Sequence, residues 1–192
     1  TTHFSVVDSS GMAVSVTYTL EQGYGVGAVV PGAGFLLNNE MGDFNGKPGL
    51  TDSTGLIGTE ANLAQPGKRM LSSMTPTIIA KDGALFAVVG SPGGRTIINT
   101  VLQVILNQVD FGMGMQDAVD APRFHHQWLP DVLSAEHDAF PPATVAALEA
   151  MGYRVRMSGT QGTAHSIRID PVTGAREGAA DPRDADAGAV GY

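Results

Sequence analysis

The chain has no cysteine, so neither a disulfide framework nor a thiolate metal site can be built from it. Charge is scarce. Asp, Glu, Lys and Arg make up 16% of the sequence, against roughly 25% in an average soluble domain. A domain with so little charged surface has room for something else, which points to a permanent partner chain. Basic clusters are missing and the net charge is −8, which excludes a phosphate-tracking nucleic-acid surface. No apolar run approaches the ~20 residues of a membrane-spanning helix. No signal peptide opens the chain, which says nothing about location if the chain is a processed piece of a longer precursor. What is present is 192 residues, 43% hydrophobic and with 25 glycines, enough for one domain, residues 1–192, with its own core.

The first residue is the most informative. Thr1 offers a hydroxyl nucleophile and, as a free terminus, an α-amine with an unperturbed pKa of about 7.7–8.0 that can take the hydroxyl proton. A threonine can also stand first by accident of processing, so the reading depends on its surroundings. Residues 1–8 alternate as a strand, and Met12 to Leu20 alternate as a second. Asp8-Ser9-Ser10-Gly11 is the turn between them. The resulting hairpin brings Thr19 beside Thr1, where its hydroxyl can bond the nucleophile or serve merely as a β-branched strand residue.

Residues 21–34 read as a glycine-rich loop, and Phe35 to Asn39 as a short strand. Glu40 and Asp43 flank Gly42 and suit an ammonium group or a metal, although surface carboxylates need no partner and no His follows nearby. Residues 45–69 form a long irregular segment of the kind used for lids and binding loops. Ser72 and Ser73, before a strand, can donate to an anion or act as turn residues. Ala84 to Val89 is a continuous apolar strand, hence buried. Gly90-Ser91-Pro92-Gly93-Gly94 follows, then an apolar helix from Arg95 to Val109 that reads as buried all round. A strand, two glycines and a helix start present backbone N–H groups to an oxyanion. The P-loop spacing is absent. His125 and His126 are adjacent in an extended stretch and face opposite ways, so they read as packing residues. Met115 to Val119 reads as a short helix and Pro141 to Met151 as an amphipathic one. Tyr153 to Met157 and His165 to Ile169 read as strands, and Asp181 to Asp186 as an acidic, polar tail.

Together these stretches resemble the small subunit of the γ-glutamyltransferases, members of the N-terminal nucleophile hydrolases. The resemblance runs through TTHFSVVD from Thr1, Thr17-Tyr18-Thr19-Leu20, LNNEMGDF ending at Phe44, LSSMTPT from Leu71, GSPGG from Gly90 and APRFHHQWLP from Ala121. It implies an α/β (α+β) chain within a four-layer αββα sandwich, completed by a large subunit from the same self-cleaving precursor. It implies a γ-glutamyl substrate such as glutathione, no cofactor, no metal, and a periplasmic or extracellular location. By the same resemblance Thr1 attacks the γ-glutamyl amide and Thr19 bonds its hydroxyl. Glu40 and Asp43 hold the substrate ammonium, Ser72 and Ser73 hold its carboxylate, and Gly93 and Gly94 form the oxyanion hole. Glu21 contacts substrate where many members carry Asn, which opens the balance between transfer and hydrolysis. Residues from Pro48 to about Thr59 match a lid in length. A related amidase or acylase, or a non-catalytic relative, are the competing expectations.

Overall fold

The computed structural model describes every residue except 48, 50 and 53–56, so half of the expected lid lies outside the described residues. Nine strands and three α-helices are described: β1 (Thr2–Val7), β2 (Ala13–Tyr18), β3 (Thr77–Lys81), β4 (Ala84–Val89), α1 (Ile97–Val109), α2 (Met115–Asp120), β5 (Phe124–His125), β6 (Leu133–Ala135), α3 (Pro142–Ala150), β7 (Val155–Met157), β8 (Ser166–Ile169) and β9 (Arg176–Ala179). The expected hairpin forms, antiparallel, with His3 opposite Thr17 and Phe4 opposite Val16. Its turn is tied by Asp8, whose Oδ1 accepts from the Ser10 N–H and hydroxyl and from the Met12 N–H at 2.7–2.9 Å.

The main sheet has the order β3-β4-β8-β9 and is antiparallel throughout. In β4, Ala87 and Val89 join α1 and α2 in the core, while Val88 faces the other way, and all three are fully buried. Burial on both faces is what the unbroken apolar run requires. The hairpin packs on β3, β4 and β8, and α1 and α2 pack on β4, β8 and β9. The chain thus supplies consecutive α, β and β layers of the sandwich. A smaller sheet, β5-β6-β7, stands apart, with β6 and β7 parallel.

Three expectations are corrected. Residues 35–39 form no strand; Leu36 makes only an isolated bridge to Val29. Helix α1 is buried on one stripe, Ile97, Thr100, Val101, Val104 and Gln108, while Ile98, Leu102, Leu106 and Val109 lie open. Helix α3 buries no residue, so it is not amphipathic against this chain. The outer face of the hairpin, Phe4, Val6, Val14 and Tyr18, is open as well. The tail is also more than a polar end. Asp181 and Arg183 enter a buried ion network with Arg123 and Glu136.

Candidate active site

The hairpin register sets Thr2 opposite Tyr18, and one step further out Thr1 meets Thr19. The Thr1 hydroxyl donates to Thr19 Oγ1 at 3.0 Å. Thr19 Oγ1 also accepts from the Glu21 N–H at 2.8 Å. Glu21 takes a left-handed conformation, φ 71°, which turns the chain sharply so that its N–H points back at Thr19.

That turn folds the Glu21 carboxylate over Gly42, where a Cβ would collide with it. Gly42 lies in a short 3-10 turn, Glu40–Asp43, so Glu21, Glu40 and Asp43 converge. Burial raises the Glu40 carboxyl above its ordinary range; Asp43 and then Glu21 add to the rise, and the Thr19 hydroxyl opposes it. Among the described residues, Glu21 Oε2 and Glu40 Oε1 are enclosed without a hydrogen-bond partner. Carboxylate oxygens enclosed without a cation suit a positive charge.

Ser73 Oγ donates to the Gly94 carbonyl at 2.8 Å, and Ser72 Oγ accepts from the Met74 N–H at 3.1 Å. Gly93 and Gly94 both adopt positive φ, 140° and 56°, which L side chains rarely adopt. A Cβ at Gly93 would also collide with Thr96. The pair precedes α1, where the first N–H groups have no partner within the helix. Asp43, Ser73 and Gly94 share a cavity of about 500 Å³ whose apolar wall includes Phe44, Leu71, Ile98 and Trp128.

Asn62 is a residue the sequence reading passed over. It is buried and ties the two halves of the site: Nδ2 donates to the Asp43 carbonyl at 2.7 Å and Oδ1 accepts from the Leu71 N–H at 2.9 Å. It sits in the irregular 45–69 segment, where nothing in the pattern singles it out. Asn38 and Asn39 are loop ties too, accepting from the Glu40 and Gln22 N–H groups; an Asn ahead of a turn is a legible signal. His125 and His126 part as expected, His125 to Gln127 and His126 to Asp131.

A threonine pair at a hairpin end, a two-glycine turn ahead of a helix and these layers define the N-terminal nucleophile hydrolase fold. Within that class, the chain belongs to the gamma-glutamyltranspeptidase family, whose family model matches residues 1–191. It is 50% identical to a glutathione hydrolase proenzyme of Escherichia coli over 192 residues, all of this chain and 33% of that protein. A solved mutant gamma-glutamyltranspeptidase of Helicobacter pylori is 49% identical with a TM-score of 0.89, over 96% of this chain and all of that one. A cephalosporin acylase of Bacillus halodurans is 29% identical with a TM-score of 0.77, over 92% of this chain and 31% of that one. The chain spans about a third of the length of the curated relatives it matches.

Proposed function

We propose that this chain is the catalytic small subunit of an enzyme that transfers and hydrolyses γ-glutamyl groups, with glutathione as a substrate. The observation that carries the reading is the convergence on Thr19, which accepts from Thr1 and faces Glu40 in the carboxylate cluster. An α-amino acid head carries one ammonium and one carboxylate. Glu40, Asp43 and Glu21 suit the first, Ser72 and Ser73 the second. With the head held, the γ-carbonyl reaches between Thr1 and Gly93-Gly94. Thr1 Oγ bonds to the carbonyl carbon as its proton passes to the α-amine, and the oxyanion faces the glycine N–H groups. Collapse breaks the C–N bond, the leaving amine takes that proton, and a γ-glutamyl ester remains. Attack by water gives glutamate; attack by an amino acid or dipeptide amine gives a new γ-glutamyl amide.

The same hydroxyl would cleave the precursor before Thr1, in keeping with relatives named proenzymes. The open apolar faces of α1 and of the hairpin, with the low charge content, support a large subunit as permanent partner. Among the described residues no helix is long and apolar enough to cross a membrane. We place the enzyme in the periplasm or outside the cell. An acylase for glutaryl-type substrates is the rival reading on the same fold, and it has no use for the carboxylate cluster.

The test is Thr1→Ala and Thr1→Ser in the full precursor, assayed on a γ-glutamyl anilide with and without a dipeptide. The Ala variant stays uncleaved and inactive, and the Ser variant retains part of both functions. A cleaved, active Ala variant removes Thr1 from the chemistry. A wild type that turns over only glutaryl amides selects the rival.

A further inference from the structure

We infer that His3 is a positioning residue of this reaction: its ring fixes the strand carrying Thr1 against the turn carrying Gly93 and Gly94. The inference rests on the γ-glutamyl-transfer reading and adds a residue to it.

The hairpin's open face is apolar, while the face turned to the main sheet carries His3, Ser5, Ser15 and Thr17 beside Val7 and Ala13. A sandwich layer buries apolar side chains by default, so a polar inner face signals hydrogen bonds that matter. His3 is 4% exposed and both ring nitrogens are engaged, Nδ1 with Thr17 Oγ1 at 2.8 Å and Nε2 with Ser5 Oγ at 3.1 Å. The tautomer follows from counting protons. Ser5 spends its one hydroxyl proton on the His165 carbonyl at 2.8 Å, so it accepts from His3 Nε2–H. Nδ1 is then bare and accepts from the Thr17 hydroxyl. A directed chain runs from Thr17 through His3 and Ser5 to the His165 carbonyl. The His165 N–H donates to the Gly90 carbonyl at 3.1 Å, which closes the loop onto the end of β4.

The ring also occupies the space a side chain at residue 90 would need. A Cβ at Gly90 would fall on the imidazole. Ser15 Oγ adds a second tie, to the Val89 carbonyl at 3.2 Å. His3 is two residues from Thr1, and Gly90 is three from Gly93. The ring therefore sits where the nucleophile strand and the oxyanion turn touch. Burial, then the neighbouring His165, hold the His3 pKa down to about 4, so the ring stays uncharged at neutral pH and its hydrogen bonds set the tautomer. A displacement of ~1 Å between nucleophile and oxyanion donors can cost on the order of a hundredfold in rate. The residues that would grip the substrate head lie in other segments.

The test uses the full precursor, as wild type, His3→Gln, His3→Ala, Gly90→Ala and the His3→Ala/Gly90→Ala double variant. Self-cleavage is followed on denaturing gels. Steady-state rates on a γ-glutamyl anilide are taken per active site, titrated with an irreversible γ-glutamyl electrophile. His3→Ala lowers kcat by at least about tenfold with KM within about threefold. Gly90→Ala loses a similar factor because its methyl enters the ring's space. In the double variant that methyl finds the space empty, so the two losses do not multiply. His3→Gln recovers part of kcat, since its amide can donate to Ser5. A His3→Ala precursor that melts like wild type yet self-cleaves slowly strengthens the inference when kcat per titrated site is lowered as well. An unchanged kcat per titrated site, a loss confined to KM, or multiplying losses in the double variant would overturn it. A wild type that self-cleaves but ignores the anilide defeats the substrate reading alone; self-cleavage rates then still judge His3.

Discussion

Two clusters of carboxylates sit in one small chain, one buried and one half-buried, and obey opposite rules. In the first, Asp181 bonds Arg123 at 2.7 Å and Arg183 at 3.1 Å, and Glu136 bonds Arg183 at 2.6 Å. Backbone N–H groups of Arg123, Gln161 and Ala164 complete it. Burial pushes both acids up, but the guanidiniums and N–H donors outweigh it and hold both below their ordinary values. In the second, burial again pushes Glu40 up, and its neighbours Asp43 and Glu21 push the same way. Charge answered from within is scaffold. Carboxylate oxygens enclosed without a cation are costly unless something pairs them, which suits the second cluster to a positively charged group.

The largest break comes from unpairing the first cluster. Arg123→Met leaves Asp181 short of a partner 1% exposed and should cost about 3–5 kcal/mol. Thermal or urea unfolding of the assembled enzyme measures this, while kcat per folded molecule stays near wild type. A loss under about 1 kcal/mol would mean that Arg183 alone neutralises both acids.

Asp43→Asn is the mirror experiment in the second cluster. A charge-assisted hydrogen bond is worth roughly 1.5–3 kcal/mol, so kcat/KM on γ-glutamyl substrates falls at least about tenfold. The melting temperature stays within a few degrees and self-cleavage proceeds. A glutaryl amide, which has no ammonium, loses far less. Equal losses on both substrates would make Asp43 a structural residue.

The comparison also explains what the sequence disclosed. The hairpin was legible because strand alternation and Asp8-Gly11 turn chemistry agree, and a hairpin leaves Thr1 and Thr19 only one relation. Buried β4 was legible from its unbroken apolar run. The ion network was not. Arg123 and Arg183 lie 60 residues apart, beside an extended stretch and in a tail, and only the tertiary fold joins them through Asp181. Asn62 was hidden for the same reason. The open stripe of α1 was misread because a helix apolar all round is buried by something, and a sequence cannot say whether its own chain supplies the cover.

Glu21→Gln sharpens the second cluster more gently. It removes the weakest of the effects that raise Glu40, behind burial and Asp43. The Glu40 pKa then falls, so Glu40 stays ionised to lower pH. The acidic limb of the kcat/KM profile on γ-glutamyl substrates should therefore move to lower pH, with the plateau changed less than in Asp43→Asn. A limb that stays put, or moves up, would separate Glu21 from Glu40.

His3 supplies the smallest effect and a third rule, since it is buried, polar and neutral. Its pKa is about 4 when folded, against the ordinary 6.5. Between those values the unfolded chain binds a proton that the folded chain refuses. Stability therefore falls as pH drops from above 6.5 towards 4, and below about 4 the difference is constant. From pH 7.5 to pH 6 this one group costs about 0.8 kcal/mol of unfolding free energy, read from urea unfolding of the assembled enzyme at the two pH values. His3→Gln cannot take up that proton. Its unfolding free energy should thus fall about 0.8 kcal/mol less than that of wild type over the same interval, whatever its starting value. Parallel declines in the two proteins would mean that His3 titrates alike in both states, and that its ring is not held neutral between β1 and the Gly90–Gly94 turn.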